Sequence, residues 1–193
     1  MKVLALLASP RKNGNTEILL ERVIEGAAHE GCQVETVNLH THPVRPIDDC
    51  NECESHGSCT IDGNDNYDMI IEKFLESDCI ILATPTYWYS VSAQMKAFID
   101  RWYCSERLMP GFHRKIRGKK VAVIAVHGED DPAVTKHLFG QLQRSFQYLG
   151  LDFIGKVQGK ALASGDMYRN KDVLEKAYKL GISIGKKKYY SAQ

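Results

Sequence analysis

No stretch of this chain reaches the ~18 uninterrupted apolar residues of a membrane span, so a transmembrane role is not expected. An excess of one charge is also missing: 25 Lys and Arg stand against 24 Asp and Glu, a formal net charge of +1. Nucleic-acid binders show a basic patch or stripe. Here the dense basic run is Lys186-Lys187-Lys188, which reads as a solvated tail, so no nucleic-acid partner is expected. The G-x-x-x-x-G-K-[ST] and G-x-G-x-x-G phosphate motifs are both absent, which argues against a P-loop nucleotidase and a dinucleotide Rossmann site. None of the cysteines has an arginine at C-x5-R spacing, so a phosphatase-type nucleophile lacks its loop. There is no internal repeat and no low-complexity tract.

What is present fits one globular domain over residues 1–193, with 44% hydrophobic and 25% charged residues. The opening MKVLALLASP leads directly into Arg11 and Lys12 and reads as a buried first strand rather than an export signal. On that reading the protein is expected in the cytoplasm, with Cys32, Cys50, Cys53, Cys59, Cys79 and Cys104 reduced.

Strands and helices alternate. Val3–Ala8, Cys79–Ala83 and Val121–Val126 are continuous apolar runs, as expected of parallel strands covered on both faces. Gln33–Leu39 and Phe153–Ala161 mix apolar and polar residues, as edge strands do. Helical stripes run through Leu19, Val23 and Ala27, then Met95, Phe98, Ile99 and Trp102. Further stripes run through Val134, Leu138, Leu142 and Phe146, then Val173, Ala177, Leu180 and Ile184, with a shorter helix over Asp68–Leu75. Five strands and five helices predict an α/β three-layer, doubly wound sheet of order 2-1-3-4-5, the flavodoxin-like fold. A long irregular loop at about 40–67 carries Cys50, Cys53 and Cys59.

Ligands of open α/β sheets bind beyond the carboxyl ends of the strands. The first such turn, Ser9-Pro10-Arg11-Lys12-Asn13-Gly14-Asn15-Thr16, is rich in anion donors. Ser9 and Thr16 bring hydroxyls, Asn13 and Asn15 amides, Arg11 a bidentate cation, and Gly14 room for close approach. Together with the N–H groups of a helix start, they predict a phosphate site. A capped turn with nothing bound uses similar residues but has no need of the arginine. Strand 3 opens into Pro85-Thr86-Tyr87-Trp88, an aromatic corner suited to a flat ring such as a flavin, or to a subunit interface. Gly128, after His127 at the end of strand 4, permits close backbone approach to such a ring.

SPRKNGNT, the Cys-containing segment and ATPTYWYSVSAQMKAFIDR together resemble the NADPH-dependent FMN reductase and iron–sulfur flavoprotein family over roughly residues 1 to 130. That resemblance implies a flavodoxin-like fold and non-covalent FMN, with NAD(P)H as co-substrate, in a homodimer or homotetramer. It implies that Ser9, Arg11, Asn13, Asn15 and Thr16 hold the phosphate, that Pro85, Thr86, Tyr87 and Trp88 line the ring, and that Ser90 to Arg101 contributes to a subunit interface. The function it implies is an NAD(P)H-dependent reductase passing electrons to a quinone, flavin or other small acceptor. The alternative is an FMN electron carrier acting with protein partners. No residue is assigned as catalytic. Iron–sulfur members carry a fourth cysteine where this chain, aligned on Pro46, has Ile47. No metal is therefore expected, with an iron–sulfur cluster, or zinc on Cys50, Cys53, His56 and Cys59, as alternatives.

Overall fold

The computed structural model describes residues 1–48, 52–59, 61 and 63–186, without the side chains of Glu54 and His56. Five parallel strands, β1 (Lys2–Leu7), β2 (Gln33–Asn38), β3 (Cys79–Pro85), β4 (Lys120–His127) and β5 (Asp152–Lys160), form one sheet of order β2-β1-β3-β4-β5. This is the predicted flavodoxin-like order, with the two mixed strands at the edges.

Side chains alternate across the three central strands and feed two cores. Leu4, Leu6, Ile80, Leu82, Val121 and Val123 face one side. There they meet α3 (Tyr67–Glu76), α4 (Ala93–Asp100) and α7 (Lys136–Leu149) through Phe74, Phe98 and Phe146. Val3, Ala5, Ile81, Ala83, Ala122 and Ile124 face the other, under α1 (Asn15–His29) and α8 (Lys171–Gly185). Because both faces are covered, each central strand reads as an unbroken apolar run.

Five helices were expected; among the described residues the chain forms three further short ones, α2 (Glu52–His56), α5 (Trp102–Leu108) and α6 (Phe112–Ile116). The expected stripe Met95–Trp102 is broken at Arg101, so Trp102 begins α5 instead of continuing α4. The apolar residues of the segment assigned to a subunit interface, Val91, Met95, Phe98 and Ile99, are spent on the chain's own core.

α1 and α8 touch backbone to backbone. A Cβ on Gly26 would lie 2.2 Å from the Tyr178 carbonyl oxygen, and one on Gly181 would lie 2.1 Å from that of Val23. Neither neighbour is a flexible side chain, so the helices must separate to admit a methyl group. Gly26→Ala and Gly181→Ala are each expected to lower stability by about 1–3 kcal/mol or more. Urea unfolding followed by circular dichroism reads this directly, and an unchanged midpoint would rule out the close contact.

Candidate functional site

The first and third strand–helix turns are tied together by Ser92. Its hydroxyl donates to the Ala8 carbonyl at 2.9 Å, and its N–H donates to Thr84 Oγ1 at 3.0 Å. Ser92 also caps α4, accepting from the Met95 N–H. Thr84 and Ser92 are fully buried, so the two carboxyl ends are held rigidly side by side.

In the first turn the left-handed residue is Asn13, at φ 51°, a conformation asparagine tolerates, while Gly14 has an ordinary φ of −76°. Gly14 is required for space: a Cβ there would lie 2.9 Å from the Arg11 carbonyl oxygen. Gly14 is the N-cap of α1 and provides no side-chain cap, and the Ile18 N–H is the first to bond back, to the Gly14 carbonyl at 3.0 Å. The N–H groups of the first helical turn therefore have no helix partner, as at helix starts that bind anions.

Asn15 plays a different part from the one expected. Its side-chain amide donates to the Ala163 carbonyl at 2.7 Å and accepts from the Met167 N–H at 3.1 Å. It braces the turn against the loop after β5. Asn13 is exposed, and its backbone N–H donates to Glu17 at 2.6 Å.

A cleft of about 210 Å³ opens between these turns. Of the residues named from the sequence, it is lined by Ser9, Arg11, Asn15, Thr16, Pro85, Thr86, Tyr87 and Gly128. Asn13, Gly14 and Trp88 do not line it. His127 and Leu162 do, and Leu162 lies over Gly128, 2.7 Å from where a Cβ would be. The His127 Nδ1–H donates to the Glu129 carbonyl at 3.0 Å, which leaves Nε2 as the ring's other polar atom. Ala161, read only as the end of a strand, and Leu162 were not expected at the site, because an apolar side chain carries no local signal of a ligand. A larger groove of about 1120 Å³ beside β5, between α7 and α8, holds none of the site residues expected from the sequence.

The corner after β3 is a tight turn. Tyr87 and Ser90 exchange both backbone hydrogen bonds at 3.0 Å, with Trp88 and Tyr89 between them at φ 47° and 63°. Such a turn is normally filled by Asn and Gly. Two aromatics in left-handed backbone are strained, and strain of this kind concentrates at functional sites. Trp88 is 94% exposed at its tip, whereas Tyr87 reaches the cleft.

The residues fit a flavin mononucleotide. Open N–H groups, Ser9, Thr16 and Arg11 suit its phosphate, and the Thr86 Oγ1 is buried beside the cleft with no hydrogen-bond partner among the described residues. A buried hydroxyl left this way costs stability until something bonds it.

Residues 1–157 match the profile of NADPH-dependent FMN reductases. The chain belongs to that family. It is accordingly an oxidoreductase working with FMN and NAD(P)H. Among curated relatives of this FMN reductase-family chain is the Bacillus subtilis protein YwqN, named as an NAD(P)H-dependent FMN-containing oxidoreductase. It is 32% identical over 93% of this chain and 96% of its own. An iron–sulfur flavoprotein of Archaeoglobus fulgidus is 31% identical over 95% of this chain and 79% of its own. Among solved structures, a NAD(P)H:quinone oxidoreductase from Methanothermobacter marburgensis superposes with a TM-score of 0.79 at 17% identity, covering 98% of each chain, which supports the fold alone. Among the described residues no helix is long and apolar enough to cross a membrane.

A second group lies away from the cleft. The Sγ atoms of Cys53, Cys59 and Cys104 all lie within 4.8 Å of one another. Cys104 was not singled out from the sequence, because α5 lies far along the chain from the loop. Cys50 and the His56 side chain fall outside the described residues. Burial pushes the Cys79 thiol up to about 12, so it is an inert core residue.

Proposed function

We propose that this family member passes electrons from NAD(P)H through FMN to a small flat acceptor such as a quinone. Bound FMN supplies the two-electron chemistry that links nicotinamide and acceptor. The protein supplies position and charge. Ser9, Arg11, Thr16 and the open N–H groups of α1 hold the phosphate, with Asn13 and Gly14 shaping the turn and Asn15 bracing it. Pro85, Thr86, Tyr87 and Gly128 border the ring. The reading is carried by the unpartnered Thr86 hydroxyl, buried in the cleft that the phosphate turn also lines.

At about 210 Å³ the cleft is smaller than the ~300 Å³ at which whole-ligand pockets begin, so a flavin held here would keep part of its ring accessible. Nicotinamide and acceptor would use that same open face in turn, which is a ping-pong scheme. Anaerobic stopped-flow mixing tests it. NADPH or NADH should bleach the flavin absorbance, and a soluble quinone should restore it. A flavin inert to both nucleotides would leave the electron-carrier reading in its place.

Thr86→Val separates cofactor binding from folding. The apoprotein should be as stable as wild type or more so, since an unsatisfied hydroxyl is removed. FMN should bind about 10-fold more weakly, the loss of one hydrogen bond. Fluorescence titration and thermal unfolding read the two effects, and equal FMN affinity would remove Thr86 from the site.

Assembly as a homodimer or homotetramer is proposed on the exposed, strained Trp88-Tyr89 turn, which a second copy would cover. Light scattering on a sizing column should give a multiple of the chain mass, and a monomer would remove this part of the proposal.

A further inference from the structure

Cys53 lies on α2, Cys59 follows it in the loop, and Cys104 comes from α5, 45 positions beyond Cys59. The Cys59 and Cys104 sulfurs are 4.0 Å apart, and all three lie within 4.8 Å of each other. Sulfurs on one tetrahedral zinc stand roughly 3.8 Å apart, from bonds of about 2.3 Å. The observed spacing is thus close to that of ligands sharing a single ion. A four-iron cluster gives each iron its own thiolate, which spreads the sulfurs and calls for four of them. The apolar Ile47 packs against this same group and adds no fourth thiolate.

The surroundings are those of a closed structural site. Cys59 and Cys104 are buried, and Ile61 and Leu108 seal the group with Ile47. The buried, positively charged Arg101 guanidinium lies close enough to Cys59 and Cys104 to favour their thiolates, the kind of outer support that stabilises a metal-bound thiolate. The group also sits where the fold is short of other support. Between Leu39 and Tyr67, α2 is the only helix or strand among the described residues, and the apolar cluster there is small. Poorly cored segments of this kind are commonly stapled by a metal or disulfides.

We propose that Cys53, Cys59 and Cys104 are three thiolate ligands of a single zinc ion that pins the loop to α5. As the three sulfur–zinc bonds form, three thiol protons leave to solvent, and one tetrahedral position remains for a fourth donor. No redox change is involved. The ion is structural and stands apart from the flavin cleft, none of whose lining residues belongs to this group.

The full chain, purified without chelator or added metal, should contain about one zinc per chain by plasma mass spectrometry, the load of a single closed site. Cys104→Ser should lose most of it while still binding FMN. Cobalt(II) added to zinc-stripped wild type should give tetrahedral d–d bands with thiolate charge transfer, a readout that holds even if the variant does not fold. Full zinc retention in Cys104→Ser would overturn the proposal. So would wild type without zinc and without a tetrahedral cobalt spectrum, or iron with acid-labile sulfide in place of zinc.

Discussion

Arg101→Met is expected to lower the unfolding free energy by about 3–5 kcal/mol, the cost of stripping one partner from a buried ion pair. Arg101 is completely buried between α4 and α5, and its Nη1 donates to Asp65 Oδ2 at 2.8 Å. The Asp65 side chain is itself only 3% exposed, so among the described residues the substitution leaves its carboxylate charge without a paired cation. More is lost than the pair. The guanidinium stacks 4.5 Å from the Tyr67 ring centre. The Tyr67 hydroxyl bonds the Arg101 carbonyl at 2.7 Å and Ser105 at 2.5 Å. Burial correspondingly pushes the Tyr67 phenol up, keeping it a neutral donor. Asp65 also accepts the Arg45 and Tyr67 N–H groups, at 2.8 and 2.9 Å, so the pair ties both ends of the Cys-containing loop to the helices. Urea unfolding with a probe of tertiary structure measures the loss. The double variant Arg101→Met/Asp65→Asn should recover a large share, because the uncompensated charge is gone. If the single variant unfolds like wild type, or the double variant recovers nothing, the buried pair is not what anchors the loop.

Arg11→Ala should weaken FMN binding about 10- to 100-fold, the range for losing a charge-assisted hydrogen bond. Arg11 is exposed, so folding stability should stay within about 0.5 kcal/mol of wild type. The control is riboflavin, which has the same ring and no phosphate: its affinity should be the same in both proteins. The wild-type preference for FMN over riboflavin should also fall as salt rises, since an exposed cation is screened. If riboflavin binding is hurt equally, Arg11 acts on the ring or the fold. If neither ligand is affected, the phosphate lies elsewhere.

The central strands, the sheet order and the donor-rich first turn were legible in the chain itself. A strand covered on both faces has to be apolar at every position, and an edge strand does not, so the order could be read from Val3–Ala8, Cys79–Ala83 and Val121–Val126 against their mixed neighbours. The turn was legible because an anion calls for a local cluster of donors, and Ser9, Arg11 and Thr16 lie within a few residues of one another. Roles set by distant partners could not be read this way. Asn15 resembles a phosphate donor until its amide is seen bonded to Ala163 and Met167. Trp88 resembles a ring-stacking residue until the left-handed turn carries it out to solvent. Arg101 stands at the end of a segment expected at a subunit interface until Asp65 meets it in the core.

The amino-acid order alone therefore determined the layers of the fold and the chemistry of its first turn, since hydrophobic period and adjacent donors are local properties. Only the tertiary structure decided which donors face the cleft, which charge is buried, and that Cys104 joins Cys53 and Cys59. Each of those depends on contacts between residues far apart in the chain, which a local pattern does not carry.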